Sequence, residues 1–275
     1  MEAKPWVRQL YKEFLGLRPG LRIAEVGCGT GDFSRYLAEL SGPDCEIVGV
    51  DSRHSSVKAA IRETNRSKLR NRISYRVGDA YSLPFRNGYS DLTCCRTLLM
   101  HLKEPSKAIE EMARVTRTGG MVAAMERGRM NSFYDPDDEY YSELAKSAGR
   151  YYVRGLRRLE GKEFVIGDSL PKLFVEGGLR RIRAEVQADA WVPCDSRRRF
   201  KDVKDMLRFE FETSLKARDV DRRVLLAGGM PQAKVGEYFA QYARRAKKLL
   251  SSNEMLRKSC EFYVAGFYIV TGVKS

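Results

Sequence analysis

The chain has little of the chemistry that usually marks a metal centre. It holds two histidines, His54 and His101, far apart, and none of its cysteines (Cys28, Cys45, Cys94, Cys95, Cys194 and Cys260) form a C-x-x-C pair. Zinc-site spacing is therefore absent, and no metal is expected. No run approaches the roughly 20 apolar residues of a membrane span. The opening Met1-Glu2-Ala3-Lys4-Pro5-Trp6 lacks the charged-then-apolar pattern of a signal peptide, so a cytoplasmic protein with free thiols is expected. Also missing are G-x-G-x-x-G and a glycine loop ending in G-K-[ST], which removes the dinucleotide fingerprint and the phosphate loop. There are no internal repeats and no low-complexity linker.

What is present is a chain of 275 residues, 43% hydrophobic, with 50 basic against 36 acidic residues and a formal net charge of +14. That length and apolar content support a real core. The basic excess points to an anionic partner, which a nucleic acid, a membrane surface or an acidic small molecule would each satisfy, or else to no partner at all.

Segments from residue 21 to 126 alternate in period. An amphipathic helix carrying Trp6, Val7, Leu10, Phe14 and Leu15 precedes them. Strands are predicted at Leu21–Val26, Glu46–Val50, Arg72–Val77, Asp91–Cys95 and Met121–Met125, with helices at Asp32–Leu40, Ser55–Leu69 and Glu104–Thr116. Strict alternation implies parallel strands with right-handed crossovers, hence an α/β doubly wound sheet whose ligand lies beyond the strands' carboxyl ends. Beyond Glu126 the pattern changes. Helices are predicted over Tyr134–Leu159, Leu170–Glu176 and Ser196–Ser251, the last broken at Gly228-Gly229. Strands are predicted at Arg181–Ala190 and Phe262–Gly272. One compact domain over 1–275 is expected: an N-terminal helix (1–18), a ligand-binding core (19–127), a cap with substrate-binding elements and a sixth strand (128–260), and a final strand (261–275).

The residues just after the strands carry the chemistry. In Glu25-Val26-Gly27-Cys28-Gly29-Thr30-Gly31 the glycines permit a tight turn that brings backbone N–H groups close to a ligand. Asp51 ends the second strand, where a carboxylate accepts from both ribose hydroxyls or caps the next helix, a task Ser52 can share. Gly78-Asp79-Ala80 pairs one acceptor with one donor, the complement of an adenine edge. The run Asp91–Leu102 puts Cys95, Arg96 and Thr97 at the fourth strand's end, with His101 beyond, and Glu126 ends the fifth strand.

Together E-V-G-C-G-T-G, Asp51, G-D-A-Y-S-L-P-F, Asp91–Leu102 and R-V-T-R-T-G-G resemble, in order, the motifs of class I S-adenosylmethionine-dependent methyltransferases. They are most similar to the small-molecule branch with the ubiquinone and menaquinone enzymes. The resemblance covers roughly residues 20–127. It implies a Rossmann-like, seven-stranded, mostly parallel sheet with an antiparallel last strand, and an inserted helical cap. It further implies S-adenosylmethionine as cofactor, S-adenosylhomocysteine as product, and Glu25, Gly27, Cys28, Gly29, Gly31, Asp51, Ser52, Asp79, Ala80, Cys95, Arg96 and Thr97 as cofactor-binding residues. The chain departs in Arg117-Thr118, which lacks a proline, and in the long segment 191–260.

Methyl transfer from a sulfonium needs alignment more than a nucleophile, and no triad is found. Glu126, His101 and Asp135 are the candidate bases for an acceptor that must lose a proton. Tyr11, Phe133 and Tyr134 are candidate substrate-binding residues; like Tyr140, Tyr141, Tyr151, Tyr152, Phe209 and Phe211, they serve equally as core. A small-molecule acceptor is expected. The alternatives are an RNA methyltransferase, suggested by the basic run from Arg53 to Arg76 with Arg62, Arg66 and Arg70 on one helix face, and a non-catalytic adenosylmethionine-binding protein. Against nucleic acid, Asp91-Leu-Thr-Cys stands where [DN]-P-P-[YF] would fall, and the only Pro-Cys is Pro193-Cys194.

Overall fold

A computed structural model of the chain describes residues 5–275. The chain forms two compact units. The first comprises the chain up to Arg129, Val165–Gln187 and Phe267–Ser275; the second comprises Met130–Phe164 and Ala188–Gly266. Residues 128–260, expected as one cap, are therefore shared: Val165–Gln187 lie with the first unit.

The elements run in order α1 (Pro5–Phe14), β1 (Arg22–Val26), α2 (Asp32–Ser41), β2 (Glu46–Asp51), α3 (His54–Asn65), β3 (Ile73–Val77), β4 (Ser90–Arg96), α4 (Pro105–Val115) and β5 (Thr116–Tyr134). There follow α5 (Glu139–Glu160), α6 (Leu170–Glu176), β6 (Arg180–Trp191), α7 (Phe200–Ala227), α8 (Gln232–Ser251), α9 (Asn253–Lys258) and β7 (Phe262–Val273). The seven strands form one sheet in the order β3-β2-β1-β4-β5-β7-β6. Pairing is parallel from β3 through β5, with Ile23 opposite Ile47 and Leu92, and Cys95 opposite Ala124. The Gly119 N–H donates to Lys274 O and the Lys274 N–H to Gly120 O, both at 2.9 Å, so β7 ends where β5 begins. That is the antiparallel last strand.

In the first unit the strands are apolar on both faces because helices cover both. On one face Tyr11, Phe14, Phe33 and Leu37 of α1 and α2 pack on Ile23, Ile47, Leu92 and Met125. The burying face of α1 is Val7, Tyr11 and Phe14, whereas Trp6, expected there, is 47% exposed because it lies one position off that stripe. Between β4, β5 and α4 runs a buried hydroxyl chain, Ser90 to Thr93 (2.7 Å) to Thr116 (2.6 Å), which ends on Met112 O.

Two element boundaries move. The strand expected at Met121–Met125 spans Thr116–Tyr134, since Gly119-Gly120 pair with Lys274 instead of merely stopping α4. The third helix ends at Asn65, so Arg62, Arg66 and Arg70 do not share a helix face.

In the second unit, α5 starts at Glu139, later than expected, because Pro136 breaks the chain and the Asp138 carboxylate caps the Tyr141 N–H at 2.8 Å. A core of Leu144, Ala148, Leu225, Met230, Val235 and Phe239 joins α5, α7 and α8, and Val203, Leu207, Leu249 and Leu256 form another. Helices α5 and α7 approach so closely that a Cβ on Gly155 would collide with Val224 O, and one on Gly228 with Tyr151 O.

Candidate active site at the carboxyl ends of β1, β2 and β4

Neighbours β1 and β4 leave the sheet in opposite directions, and there the strand-end loops converge. The glycine loop after β1 is fastened to β2: the Gly27 and Cys28 N–H groups both donate to Val50 O, at 2.7 and 2.9 Å. Gly27, Gly29 and Gly31 all hold left-handed φ values of 75°, 53° and 78°. A Cβ on Gly27 would lie 2.8 Å from Leu98 Cδ1, whereas one on Gly29 would meet nothing within 4 Å. The first glycine thus lets the β4 loop close over β1, and the second leaves bare backbone facing open space.

Asp51 is 7% exposed and held on both sides. Its Oδ2 accepts from the Gly29 N–H and its Oδ1 from the Arg53 N–H, each at 3.0 Å. Oδ1 also accepts from Arg53 Nε at 3.4 Å, so it is Oδ2 that keeps a lone pair for a ligand hydroxyl. Ser52, exposed beside it, is not the helix cap, since Arg53 stands at that position. Asp79 is exposed; its Oδ1 accepts from the Tyr81 N–H at 2.9 Å, and Ala80 is buried behind it. Gly78 fits between Val50 and Pro84, where a Cβ would come within 2.8 Å of each, so the Asp79 turn is drawn against β2. Arg96 ends β4 and Thr97 follows it, in the left-handed region at φ 51°.

Several expected site residues act from behind this surface. Glu25 is buried; the Ser34 hydroxyl of α2 donates to its Oε2, and burial pushes its carboxyl up to about 8. Cys28, Cys94 and Cys95 are buried, with thiols pushed up by desolvation, the opposite of a reactive cysteine. Glu126 is 0% exposed and lies within β5 instead of ending it. Its Oε1 accepts from the Leu98 and Leu99 N–H groups at 2.9 and 2.7 Å, while its buried Oε2 meets no hydrogen-bond partner among the described residues. Burial raises its carboxyl to about 7, against those backbone donors. His101 is exposed in the 3-10 turn Leu99–His101.

Of the aromatic candidates, Tyr11 belongs to the first unit, packed edge-on against Phe33 and Tyr36 at 5.9 and 5.8 Å and almost wholly buried. Phe133 and Tyr134 belong to the second, Phe133 edge-on to Tyr141 at 5.4 Å and Tyr134 exposed. Asp135, also in the second unit, is buried and accepts from the Asp137 N–H at 3.0 Å, which shapes the entry to α5. An open depression lined by Gly42, Pro43, Asp44, Cys45, Asn71 and Arg72 lies at the amino ends of β2 and β3, the wrong end of the sheet for this site.

Sequence reasoning missed Leu98, the roof over Gly27, and Tyr75, whose ring fills the space beside Gly49, with a Cβ distance of 2.7 Å. Tyr75 Oη also bonds Thr64 Oγ1 at 2.8 Å. A glycine inside a strand was the available signal for such a close neighbour.

The left-handed bare backbone at Gly29 beside a carboxylate whose Oδ2 keeps a lone pair, and the acid–amide pair Asp79–Ala80, fit an adenosine-bearing ligand. Residues 24–124 match the Methyltransferase domain family. An uncharacterized methyltransferase of Schizosaccharomyces pombe is 30% identical over 150 residues, which cover 51% of this chain and 52% of that protein, so the match spans about half of that relative's length. The demethylmenaquinone methyltransferase of Desulfitobacterium hafniense is 28% identical over 189 residues, 66% of this chain and 75% of that one. Among solved structures, phosphoethanolamine N-methyltransferase 2 of Haemonchus contortus, in complex with phosphomonomethylethanolamine and S-adenosylhomocysteine, shares the fold with TM-score 0.50 at 16% identity. That match covers 98% of this chain and 53% of the other.

Proposed function

We propose that the chain is a class I S-adenosylmethionine-dependent methyltransferase that transfers the methyl group to a small-molecule acceptor by in-line displacement, a reading supported by the match of residues 24–124 to the Methyltransferase domain family. The observation that carries this reading is the cradle formed by Gly29 and Asp51, an open left-handed backbone whose N–H fixes a carboxylate 3.0 Å away. Bound S-adenosylmethionine supplies a methyl group already activated on a sulfonium.

The chain's own residues bind and align. Asp51, pre-oriented by two backbone N–H groups, accepts from the ribose hydroxyls, and Asp79 with the Ala80 N–H takes the adenine edge. Leu98 closes over Gly27 and keeps water from that side. Alignment of this kind supplies on the order of 7–11 kcal/mol of a barrier in favourable cases, so no protein nucleophile is needed. Of the two candidate bases in this unit, His101 is exposed and Glu126 is not. Proton removal, for acceptors that require it, is therefore assigned to His101, and Glu126 acts by holding the Leu98-Leu99 loop.

The small-molecule assignment draws on the demethylmenaquinone methyltransferase relative. It draws also on the basic run, much of which is engaged within the protein. Arg62 and Arg66 pair with Glu63 at 3.4 and 3.1 Å, Arg53 reaches Asp51, and Arg72 donates to Ala38 O and Gly42 O.

The test has two readouts. Calorimetry with S-adenosylhomocysteine should show saturable one-site binding that is lost in Asp51→Ala; no binding by the parent chain overturns the reading. With methyl-tritiated donor and a total cell extract, label should enter the low-molecular-weight fraction. Label confined to precipitated RNA would replace the small molecule with a nucleic acid.

A further inference from the structure

Most arginines of the first unit near the site are spoken for, but two are not. Arg96, the last residue of β4, is exposed, and its guanidinium lies in cation–π contact over Phe33 at 5.5 Å and over Phe267 at 5.4 Å. Arg127, on β5, is also exposed and lies over the same Phe267 ring at 5.9 Å. The register explains the meeting. Arg96 stands beside Met125, and Arg127 is two residues further on the same strand, so both side chains leave the same face of the sheet. Phe267, from β7 on the far side of β5, offers its ring to both, and all four residues belong to the first unit.

The chemistry of this arrangement is specific. Holding a guanidinium over an aromatic face favours that position without using its in-plane N–H donors. Among the described residues neither Arg96 nor Arg127 has a carboxylate at ion-pair distance, although Arg22, Arg35, Arg114 and Arg117 each do. The acid closest along β1, Glu25, is buried and held by Ser34, with its carboxyl raised to about 8 by burial. Two guanidinium forks without an ion-pair partner, one at the carboxyl end of β4 and one beside it on β5, are what a planar or tetrahedral oxyanion requires. They also place on one spot part of a net charge of +14 that ion pairing leaves over.

We infer that Arg96 and Arg127, braced on Phe267, bind an oxyanion group of the methyl acceptor, so that the acceptor is a small carboxylate- or phosphate-bearing molecule. The inference rests on the methyl-transfer reading above and narrows it. The anion would lie among cations, the sulfonium included, so its attraction to the site is cooperative with donor binding. A polyanionic nucleic acid is disfavoured here because the pair is a single point, at the end of β4 and beside it on β5. The arginines flanking α3 that would extend it are turned to Asp51, Glu63, Ala38 O and Gly42 O.

The test uses the full chain saturated with S-adenosylhomocysteine and titrated with benzoate, phenyl phosphate and neutral benzamide by calorimetry. At least one of the two anions should bind saturably and at least about tenfold tighter than benzamide, and the tighter one tells carboxylate from phosphate. Arg127→Met should weaken that anion about tenfold or more while leaving S-adenosylhomocysteine affinity within about twofold; Arg127→Lys should fall between, since it keeps the charge and loses the fork. Equal binding of anions and benzamide, or no binding of any, overturns the inference. So does loss of S-adenosylhomocysteine affinity in Arg127→Met, which would give the pair to the donor's own carboxylate. A single-stranded RNA oligonucleotide that outcompetes phenyl phosphate and loses affinity in Arg127→Met also overturns it. Failure of S-adenosylhomocysteine to bind at all refutes the methyl-transfer reading instead, and the anion titration on the unliganded chain then still reads the arginine pair separately.

Discussion

Glu126→Gln should make the protein more stable at alkaline pH and hardly change it at acid pH. Burial holds this carboxyl at about 7 in the folded chain, up from an ordinary 4.5. The folded state therefore keeps a proton that the unfolded state has released. Stability from this residue is full below the ordinary glutamate value and is lost as pH rises through about 7. At about 1.4 kcal/mol per tenfold change, the complete loss is about 3 kcal/mol, of which about 2–3 kcal/mol falls between pH 5 and pH 8.5. Glutamine keeps the acceptor used by the Leu98 and Leu99 N–H groups. It places an N–H donor where Oε2 meets no partner, just as the protonated acid does. The variant thus mimics the protonated state at every pH. Urea denaturation of both proteins at pH 5 and pH 8.5 reads the difference. Glu25, also raised, titrates equally in both chains and cancels. A stability difference that is the same at the two pH values refutes the reasoning. Glu126→Ala, by contrast, strands two buried N–H groups and should cost about 2–4 kcal/mol at both.

Asp51→Ala should weaken S-adenosylhomocysteine binding about 100-fold by calorimetry, since it removes the ribose acceptor and frees the Gly29 N–H; unchanged affinity would remove Asp51 from the site. Gly155→Ala should lower the stability of the second unit by about 1–3 kcal/mol in thermal melts, because the methyl group meets Val224 O, while S-adenosylhomocysteine affinity at low temperature holds. Arg245→Met should destabilise by about 3–5 kcal/mol, because it leaves Glu261, only 5% exposed, as an unpaired buried charge. Arg245→Met combined with Glu261→Gln should recover most of that loss, as a double-mutant denaturation series will show.

The half of the protein built on alternating strands and helices was legible because its pattern is local in sequence. Each strand-end motif is a few residues long, and alternation of strand and helix fixes which ends lie together, so Gly29, Asp51 and the Asp79 turn could be brought to one place without coordinates. What failed within that half were the residues acting at a distance. Glu126 reads as a carboxylate at a strand end, a base by position, yet its role is set by Leu98 and Leu99, 28 and 27 residues earlier. Arg96 reads as a cofactor-binding residue at a strand end until Phe267 and Arg127 arrive from other strands. The second unit was harder for a different reason. Its helices show apolar periodicity, but their packing depends on backbone contact at Gly155 and Gly228, and an isolated glycine in a helical stretch reads only as a weak spot. Its buried charge pair joins Arg245 of α8 to Glu261 across sixteen residues, in a run of Arg and Lys that reads as a solvated face. Side chains whose partners are near in sequence announce their function, and those whose partners are supplied by topology do not. The acceptor belongs to the second kind, which is why two arginines over one ring say more about it than any motif does.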